Sequence, residues 1–271
     1  MRRRAAVNLT KSLLLVGVLI GLAAGFGWVI GRERSAILFA LCALLAAGAV
    51  TLFGDRALLG MLGARPFALA EDPQLRSAVD RIAATLLLPP PRLYLIDDGF
   101  PRAFVVGRGA RSAHLAVSTG LLRSLRRDEV EALLAHELAH VRSLDVLTQT
   151  YAVFLAAMLM ETSRIGGWLS RALLFVLAPI ASAFTHALLS PKREFAADRD
   201  AAAACDPNDL ADALLRLDRA AELVAFSASP ATEPLYAVNP FDQDDRVTRM
   251  FSTHPSLEQR VALLRNAEAP A

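Results

Sequence analysis

Two long apolar runs near the start of the chain limit its fold more than any other feature. Residues 12–30 and 36–54 contain no charged side chain. Each run has about 19 residues, and at a rise of about 1.5 Å per residue each could cross a hydrocarbon core of about 30 Å. Residues 1–55 are therefore predicted to form a transmembrane hairpin.

The basic N-terminus allows a second interpretation of the first run. Arg2, Arg3 and Arg4 followed by apolar sequence also resemble the start of an export signal. The run is longer than the roughly 7 to 15 residues of such a signal, lacks a clear small-residue cleavage site and is followed by a second span. An uncleaved anchor is therefore favoured. The basic residues before the hairpin and at Arg56 and Arg65 after it place both ends in the cytoplasm.

The composition agrees with a membrane protein. Hydrophobic residues make up 54% of the chain and charged residues only 21%, and the mean hydropathy is +0.39. The net charge of +2 is small and the basic residues form no stripe with aromatic residues, which argues against a nucleic-acid partner. Cys42 lies in the second run and Cys205 in a polar region, so no disulfide is predicted.

A second apolar region covers residues 146–190. Its first run, residues 146–160, is about 22 Å long as a helix and is short for a full crossing, whereas residues 168–190 are long enough to span. Two spans or a partly inserted hairpin are both compatible with the pattern. The short run could alternatively be a helix buried in an aqueous core.

The segment His136-Glu137-Leu138-Ala139-His140 predicts a metal site. On a helix, side chains four residues apart differ by about 40° in direction, so both imidazoles can reach one ion, and Glu137 can face its open side. Asp128 is the predicted N-cap of this helix, with Glu131 as its capping-box partner. Two metal ligands and one general base would then come from a single helical turn.

A third ligand is expected downstream, and Glu194 is the candidate. Asp198 follows it one helical turn later, where a carboxylate could hold a ligand imidazole in place. Acidic residues at this spacing more often lie on a solvated helix face. The two histidines upstream make the metal interpretation the stronger one.

With these motifs, the chain resembles the HtpX-like membrane zinc metallopeptidases, which are relatives of the CAAX prenyl endoproteases. The resemblance covers nearly the whole chain. Residues 115–122 (LAVSTGLL) resemble the family strand and turn before the active-site helix, and His140 and Asp145 keep a family spacing. Residues 251–264 (FSTHPSLEQRVALL) resemble its C-terminal His-Pro motif.

The resemblance implies a mainly α-helical, multi-span membrane protein with a small β-sheet and a gluzincin-type zinc metallopeptidase domain. One Zn²⁺ per chain would be bound by His136, His140 and Glu194, and His254 would stabilise the developing oxyanion. His254 could instead simply precede a helix that begins at Pro255. The family implies a bacterial-type inner membrane, a cytoplasmic catalytic domain, and misfolded or membrane-associated proteins as substrates. No oligomeric state is predicted.

One position departs from the family. Where the family has Asn-Ala-Phe, this chain has Arg102, Ala103 and Phe104, which are the candidate substrate contacts. An arginine near the cleft would favour substrates with acidic groups. The alternative is that its side chain extends from the loop into water.

The catalytic domain is expected to combine residues 56–145 with residues 191–271. Asp72-Pro73 and Asp206-Pro207 are helix starts, and three short strands are predicted at Arg92–Ile96, Ala103–Val106 and His114–Ser118. The remaining histidines, His114 and His186, are assigned to structure.

The predicted activity is hydrolysis of peptide bonds by zinc-activated water, with Glu137 as general base. A pseudoprotease that binds membrane proteins without cutting them is the main alternative, and Arg102 is its only sequence support. A structural zinc protein is less well supported, because structural sites usually have four Cys or His ligands.

Overall fold

The computed structural model describes residues 2–68, 70–162, 179, 182–183, 185–186, 189–223, 230–238 and 254–267. Within these ranges the fold is mainly helical with a small mixed sheet, as the sequence predicts. The helices are α1 (Arg2–Met61), α2 (Pro73–Thr85), α3 (Thr119–Ser124), α4 (Arg127–Arg142), α5 (Asp145–Thr162), α6 (Lys192–Ala201), α7 (Pro207–Leu223) and α8 (Leu257–Arg265). The strands are β1 (Ala64–Pro66), β2 (Arg92–Ile96), β3 (Ala103–Val106) and β4 (His114–Ser118), and short 3₁₀ turns cover Ala110–Ser112 and Pro230–Leu235.

Helix α1 consists of two arms that fold back on one another. The backbone is non-helical at Gly31 and at Arg32, where φ is 60°. The rings of Phe26 and Phe39 are 5.5 Å apart between centroids. In a continuous helix these 13 steps would separate them by about 20 Å, so the chain must reverse between them.

The arms of α1 present apolar side chains outward. Leu13, Val29 and Leu45 are 65%, 83% and 72% exposed. Among the described residues, Ser12–Met61 is the helical segment with the length and composition to cross a membrane; it has 50 residues and a hydropathy of 2.5. Exposing this many apolar side chains to water would be unfavourable, because transferring apolar surface out of water lowers the free energy.

Helix α5 packs against both arms of α1. The hydroxyls of Ser12 and Thr148 are 3.2 Å apart, and Thr51 is hydrogen-bonded to Tyr151 one turn later on α5. The predicted second hairpin can be compared only in part, because most of residues 163–188 lie outside the described ranges. Full membrane crossing by this region therefore stays a prediction.

The sheet has the strand order β1-β2-β4-β3. Strands β2 and β4 are parallel, whereas β1 and β3 pair antiparallel with their neighbours. The three strands expected from the sequence are confirmed with the predicted bounds. Strand β1 was not predicted, since three residues are too few to show an alternating pattern. Strand β3 is an edge strand in this sheet, yet its four side chains are all buried.

Local sequence explains where several helices begin. The carboxylate of Asp72 accepts the backbone N–H of Leu75 at 2.9 Å, and Pro73 occupies the first helical turn. Helix α7 begins at Pro207, as predicted.

The predicted start of α4 is wrong. The helix begins at Arg127 with Arg126 as the N-cap residue, so Asp128 lies inside the first turn. The buried carboxylate of Glu129 accepts the Arg126 backbone N–H at 2.8 Å and also the Nε of Arg216 on α7 at 2.9 Å. Glu131 instead pairs with Arg81 at 3.0 Å. The hydrogen bond that caps this start is local, between residues three positions apart, and the contact with Arg216 adds to it from another helix.

Candidate metal centre

Helix α4 presents two buried imidazoles on one face. His136 is 0% exposed and His140 is 2% exposed, and their ring centroids are 5.0 Å apart. The apolar residues around them, including Leu133, Leu134 and Leu138, are buried in the core cluster that packs on the sheet. The four-residue spacing on a helix of fixed orientation brings both rings to one point.

Helix α6 brings a carboxylate to the same point. Glu194 Oε2 is 3.3 Å from His136 Nε2, and Glu194 Oε1 is 3.6 Å from His140 Nε2. One potential ligand atom from each of the three residues lies within 4.8 Å of the others. The structure thus joins two segments that are more than 50 positions apart in the chain.

The donor atoms fit a divalent cation. Both oxygens of Glu194 and both ring nitrogens of His136 are buried, and among the described residues none has a hydrogen bond of regular geometry. Buried polar atoms are normally satisfied, so this group calls for a further partner. Two imidazole nitrogens and one carboxylate oxygen are a typical donor set for a catalytic zinc ion with an open fourth position.

Further carboxylates face the other nitrogens of the two imidazoles. Asp198 Oδ1 lies 2.9 Å from His136 Nδ1, and Asp145 Oδ2 lies 3.7 Å from His140 Nδ1. Ser143 Oγ donates to Asp145 at 2.8 Å. At 2.9 Å the Asp198 carboxylate can hold the proton on His136 Nδ1 and leave the Nε2 lone pair for a metal, whereas 3.7 Å is too long for a hydrogen bond between His140 and Asp145.

The charges of the site shift the pKa values of its members. Burial acts against the charged form of Glu194, but the His140 and Arg193 charges outweigh it and hold the carboxyl pKa well below its usual range. Burial likewise disfavours the His140 cation, yet Glu194 and Asp145 raise the pKa of this imidazole to about 9. A cation at this point would therefore compete with protons for the imidazole nitrogens.

Glu137 differs from the other carboxylates. Its side chain is 2% exposed, and Oε2 is buried without a hydrogen bond among the described residues. Burial raises the pKa of Glu137, while the His136 and His140 charges partly oppose that shift. A carboxyl group with a raised pKa can take up and release a proton closer to neutral pH than an exposed one.

His254 lies at the edge of the same site. Its Nε2 is 3.9 Å from Glu194 Oε2, and its side chain is 6% exposed. The structure therefore brings the C-terminal His-Pro motif to the two ligand helices.

The three candidate substrate contacts are buried in the described structure. Arg102 is only 8% exposed, and its Nη2 lies 2.7 Å from Asp98 Oδ2, so the side chain does not extend into water. Ala103 and Phe104 are 3% and 0% exposed, and Phe104 packs edge-on against Tyr236 with centroids 6.2 Å apart. At both positions the backbone is buried together with the side chain.

Two arginines of the site were missed in the sequence. Arg260 of α8 is 2% exposed and donates from Nε and Nη2 to the two Asp198 oxygens at 2.8 and 2.7 Å. These bonds, with burial opposing them, lower the pKa of Asp198 to about 2. Arg193 lies beside Glu194, with Nε 3.0 Å from Oε1. The one feature of the sequence that could have indicated Arg260 is its position in the C-terminal motif, six residues after His254.

Comparison with known proteins identifies relatives over almost the whole chain. A model of peptidase family M48 matches residues 69–268. A protein named Protease HtpX homolog from Acidiphilium cryptum is 38% identical over 279 residues, covering 96% of each chain. Proteins of the same name from Salinibacter ruber and Pyrococcus furiosus are 36% and 34% identical, with at least 93% of each chain covered.

The fold also resembles a solved structure. The crystal structure of S. mikatae Ste24p matches with a TM-score of 0.52 at 18% identity, covering 97% of this chain and 67% of the other. At this level of identity, the likeness concerns the fold alone.

Proposed function

This chain belongs to peptidase family M48 and is a metalloprotease, and from that premise we propose that it is a membrane-anchored zinc endopeptidase. Its substrates would be misfolded or membrane-associated proteins, cut on the cytoplasmic side. The observation that carries the proposal is the convergence of His136, His140 and Glu194 within 4.8 Å beside the buried Glu137.

His136 and His140 would hold zinc through Nε2, and Glu194 would hold it through its carboxylate. When bound, zinc lowers the pKa of a water molecule towards about 7 and polarises a carbonyl group. From the opposite side, Asp198 would orient the His136 imidazole at 2.9 Å, and Asp145, at 3.7 Å, would act on the His140 imidazole through its charge. Their role is to preserve the ligand geometry.

Glu137 would act as the general base and later as the acid. It follows His136 directly and is not one of the three converging ligands, so its carboxylate remains available to accept a proton from water. The raised pKa of this carboxyl favours delivery of the same proton to the leaving amine. His254, close to Glu194, would donate a hydrogen bond to the oxyanion that develops on the peptide carbonyl.

The edge strand β3 would position the substrate. This proposal follows from the place of β3 at the edge of the sheet, where β4 pairs with it on one side only. Because Ala103–Val106 are buried as whole residues, the segments that cover this edge would have to move before the backbone could pair with an extended peptide. Backbone pairing fixes the peptide with little dependence on its side chains. This mode suits a protease that acts on many unfolded sequences.

The lipid bilayer would cover the arms of α1. Their exposed apolar side chains and the hydropathy of Ser12–Met61 support insertion, and the basic residues at both ends of the hairpin support a cytoplasmic catalytic domain. The second apolar region would either cross the membrane twice or insert in part. In both arrangements α4 and α6 remain on the same side, as a shared metal site requires.

The ligand set can be tested by zinc content. Glu194→Ala should lose most of its zinc under chelator challenge, because one of three protein ligands is removed. Asp198→Asn should keep the ligands and weaken zinc binding only about 10- to 100-fold. Bound zinc would be measured by atomic emission on the full chain purified in detergent, and proteolysis in parallel. Full zinc occupancy in Glu194→Ala would remove this residue from the site.

A further inference from the structure

Arg193 links the third ligand to two distant segments of the chain. Its side chain is 8% exposed. Besides the contact of Nε with Glu194, Nη1 donates to Gln149 Oε1 at 3.1 Å and Nη2 donates to the Pro234 carbonyl at 2.9 Å. The guanidinium group is therefore held by two hydrogen bonds, from Nη1 and Nη2, while Nε makes a close ion-pair contact with Glu194, and each of the three partners lies on a different segment.

Gln149 completes this arrangement from helix α5. It is 1% exposed in a helix of predominantly apolar sequence. Its Nε2 donates to the Pro234 carbonyl at 2.8 Å, while its Oε1 accepts from Arg193. A buried amide is expensive unless both of its ends are hydrogen-bonded, and here both ends are satisfied by this one cluster.

We propose that Arg193 is a positioning residue for the zinc ligand Glu194, and that Gln149 and the Pro234 carbonyl hold Arg193 in place. The proposal rests on the assignment of Glu194 as a ligand. Zinc affinity would then depend on Gln149, which contributes no ligand atom and belongs to the apolar helix α5 that packs on α1.

The physical reason lies in the planar shape of arginine. A guanidinium group that is fixed at Nη1 and Nη2 keeps its charge at one point beside Oε1, so it holds the Glu194 carboxylate in place through the ion pair. The opposing effect is electrostatic, since a cation 3.0 Å from Oε1 weakens that oxygen as a donor to Zn²⁺. We expect the orienting effect to outweigh the repulsion between the two cations. Zinc affinity should then fall when Arg193 is replaced, whereas dominant repulsion would make it rise.

The test measures zinc affinity by competition with a chelator in the full chain, purified in detergent. Arg193→Gln and Arg193→Lys should each weaken zinc binding about 10- to 100-fold, because neither side chain can reach all three partners. Gln149→Leu should also weaken zinc binding. The double variant Gln149→Leu/Arg193→Gln should lose little more than Arg193→Gln alone, since both changes break one network.

Matched controls separate positioning from general destabilisation. Thr150→Val removes a buried hydroxyl from the next position of α5, where that hydroxyl accepts the backbone N–H of Gly107 and does not contact Arg193. Arg199→Gln removes an exposed arginine from α6. Melting temperatures of all variants would be measured in the same buffer. We expect Thr150→Val to lower the melting temperature about as much as Gln149→Leu while leaving zinc affinity unchanged.

Equal losses of zinc affinity in Gln149→Leu and Thr150→Val would overturn the proposal, as would unchanged or higher affinity in Arg193→Gln. These outcomes differ from a failure of the proposed function. If Glu194→Ala kept its zinc, the ligand assignment itself would be wrong. If Glu194→Ala lost zinc and Arg193→Gln did not, the ligand set would stand and only the positioning role would be lost.

Discussion

At the scale of single residues, the site is a group of buried charges that neutralise one another. Asp198 lies between His136 and Arg260, and Glu194 lies between the two ligand imidazoles and Arg193. Removing one member of such a pair leaves the other buried and uncompensated, which is strongly destabilising. His136 and His140 could be predicted together because their spacing is set by one helix, and Glu194 was indicated by Asp198 one turn later on another helix. The role of Arg260 could not be predicted, because its pairing with Asp198 joins segments far apart in the chain.

Arg102 gives a prediction at this scale. Its guanidinium group already pairs with Asp98 at 2.7 Å, so its charge is not available to attract an acidic substrate. We expect Arg102→Asn to leave the cleavage preference unchanged across a peptide library and to lower stability by about 1 to 3 kcal/mol, as loss of a hydrogen bond to a charged group does. Loss of a preference for acidic peptides in this variant would restore the substrate-contact role. Recovery of activity from an inactive wild type would favour the pseudoprotease.

At the scale of elements, most of the correct predictions came from helix caps and from short apolar segments bounded by turns. Strands β2, β3 and β4 and the starts of α2 and α7 follow from local sequence. The predicted start of α4 was wrong, because Glu129 and not Glu131 accepts the backbone N–H of the N-cap residue, and an arginine is an unusual residue at that position. Arg216 of α7 also donates to Glu129, a contact that sequence spacing alone does not show.

The first residue of β4 provides a test of pH dependence. His114 is 3% exposed and 3.4 Å from Asp55 at the end of α1, and burial lowers its pKa despite the neighbouring carboxylate. An unfolded chain then binds the proton more readily than the folded one, so stability should fall as the pH drops below about 6.5. The melting temperature of the wild type should decrease more between pH 7.5 and about 5.5 than that of His114→Gln. If the melting temperatures of the two proteins changed equally with pH, His114 would not be the source of the pH dependence.

At the scale of the whole molecule, the fold places the candidate metal site beside a helical hairpin with an apolar surface. The contacts of Ser12 with Thr148 and of Thr51 with Tyr151 join the hairpin to α5, and α5 reaches Arg193 through Gln149. The apolar runs predicted the hairpin, because length and absence of charge suffice for that. The crossing of residues 146–190 stays a prediction.

The topology can be tested with reporter fusions. Fusions at residue 1, near Gly120 and at residue 271 should all report the cytoplasm, because the basic N-terminus and an even number of crossings require it. A fusion near Gly31, at the reversal of α1, should report the opposite side and serves as the control. A periplasmic signal from the fusion near Gly120 would show that the catalytic domain lies on the opposite side of the membrane.

The central claim is that zinc bound by His136, His140 and Glu194 supports proteolysis with Glu137 as the base. The most direct measurement compares the wild type with Glu137→Gln in cleavage of a casein-like substrate, with the zinc content of both proteins determined in the same samples. We predict equal zinc content and loss of cleavage in Glu137→Gln, because the amide cannot accept the proton but leaves the ligands unchanged. Cleavage by zinc-loaded Glu137→Gln at close to the wild-type rate would contradict the account.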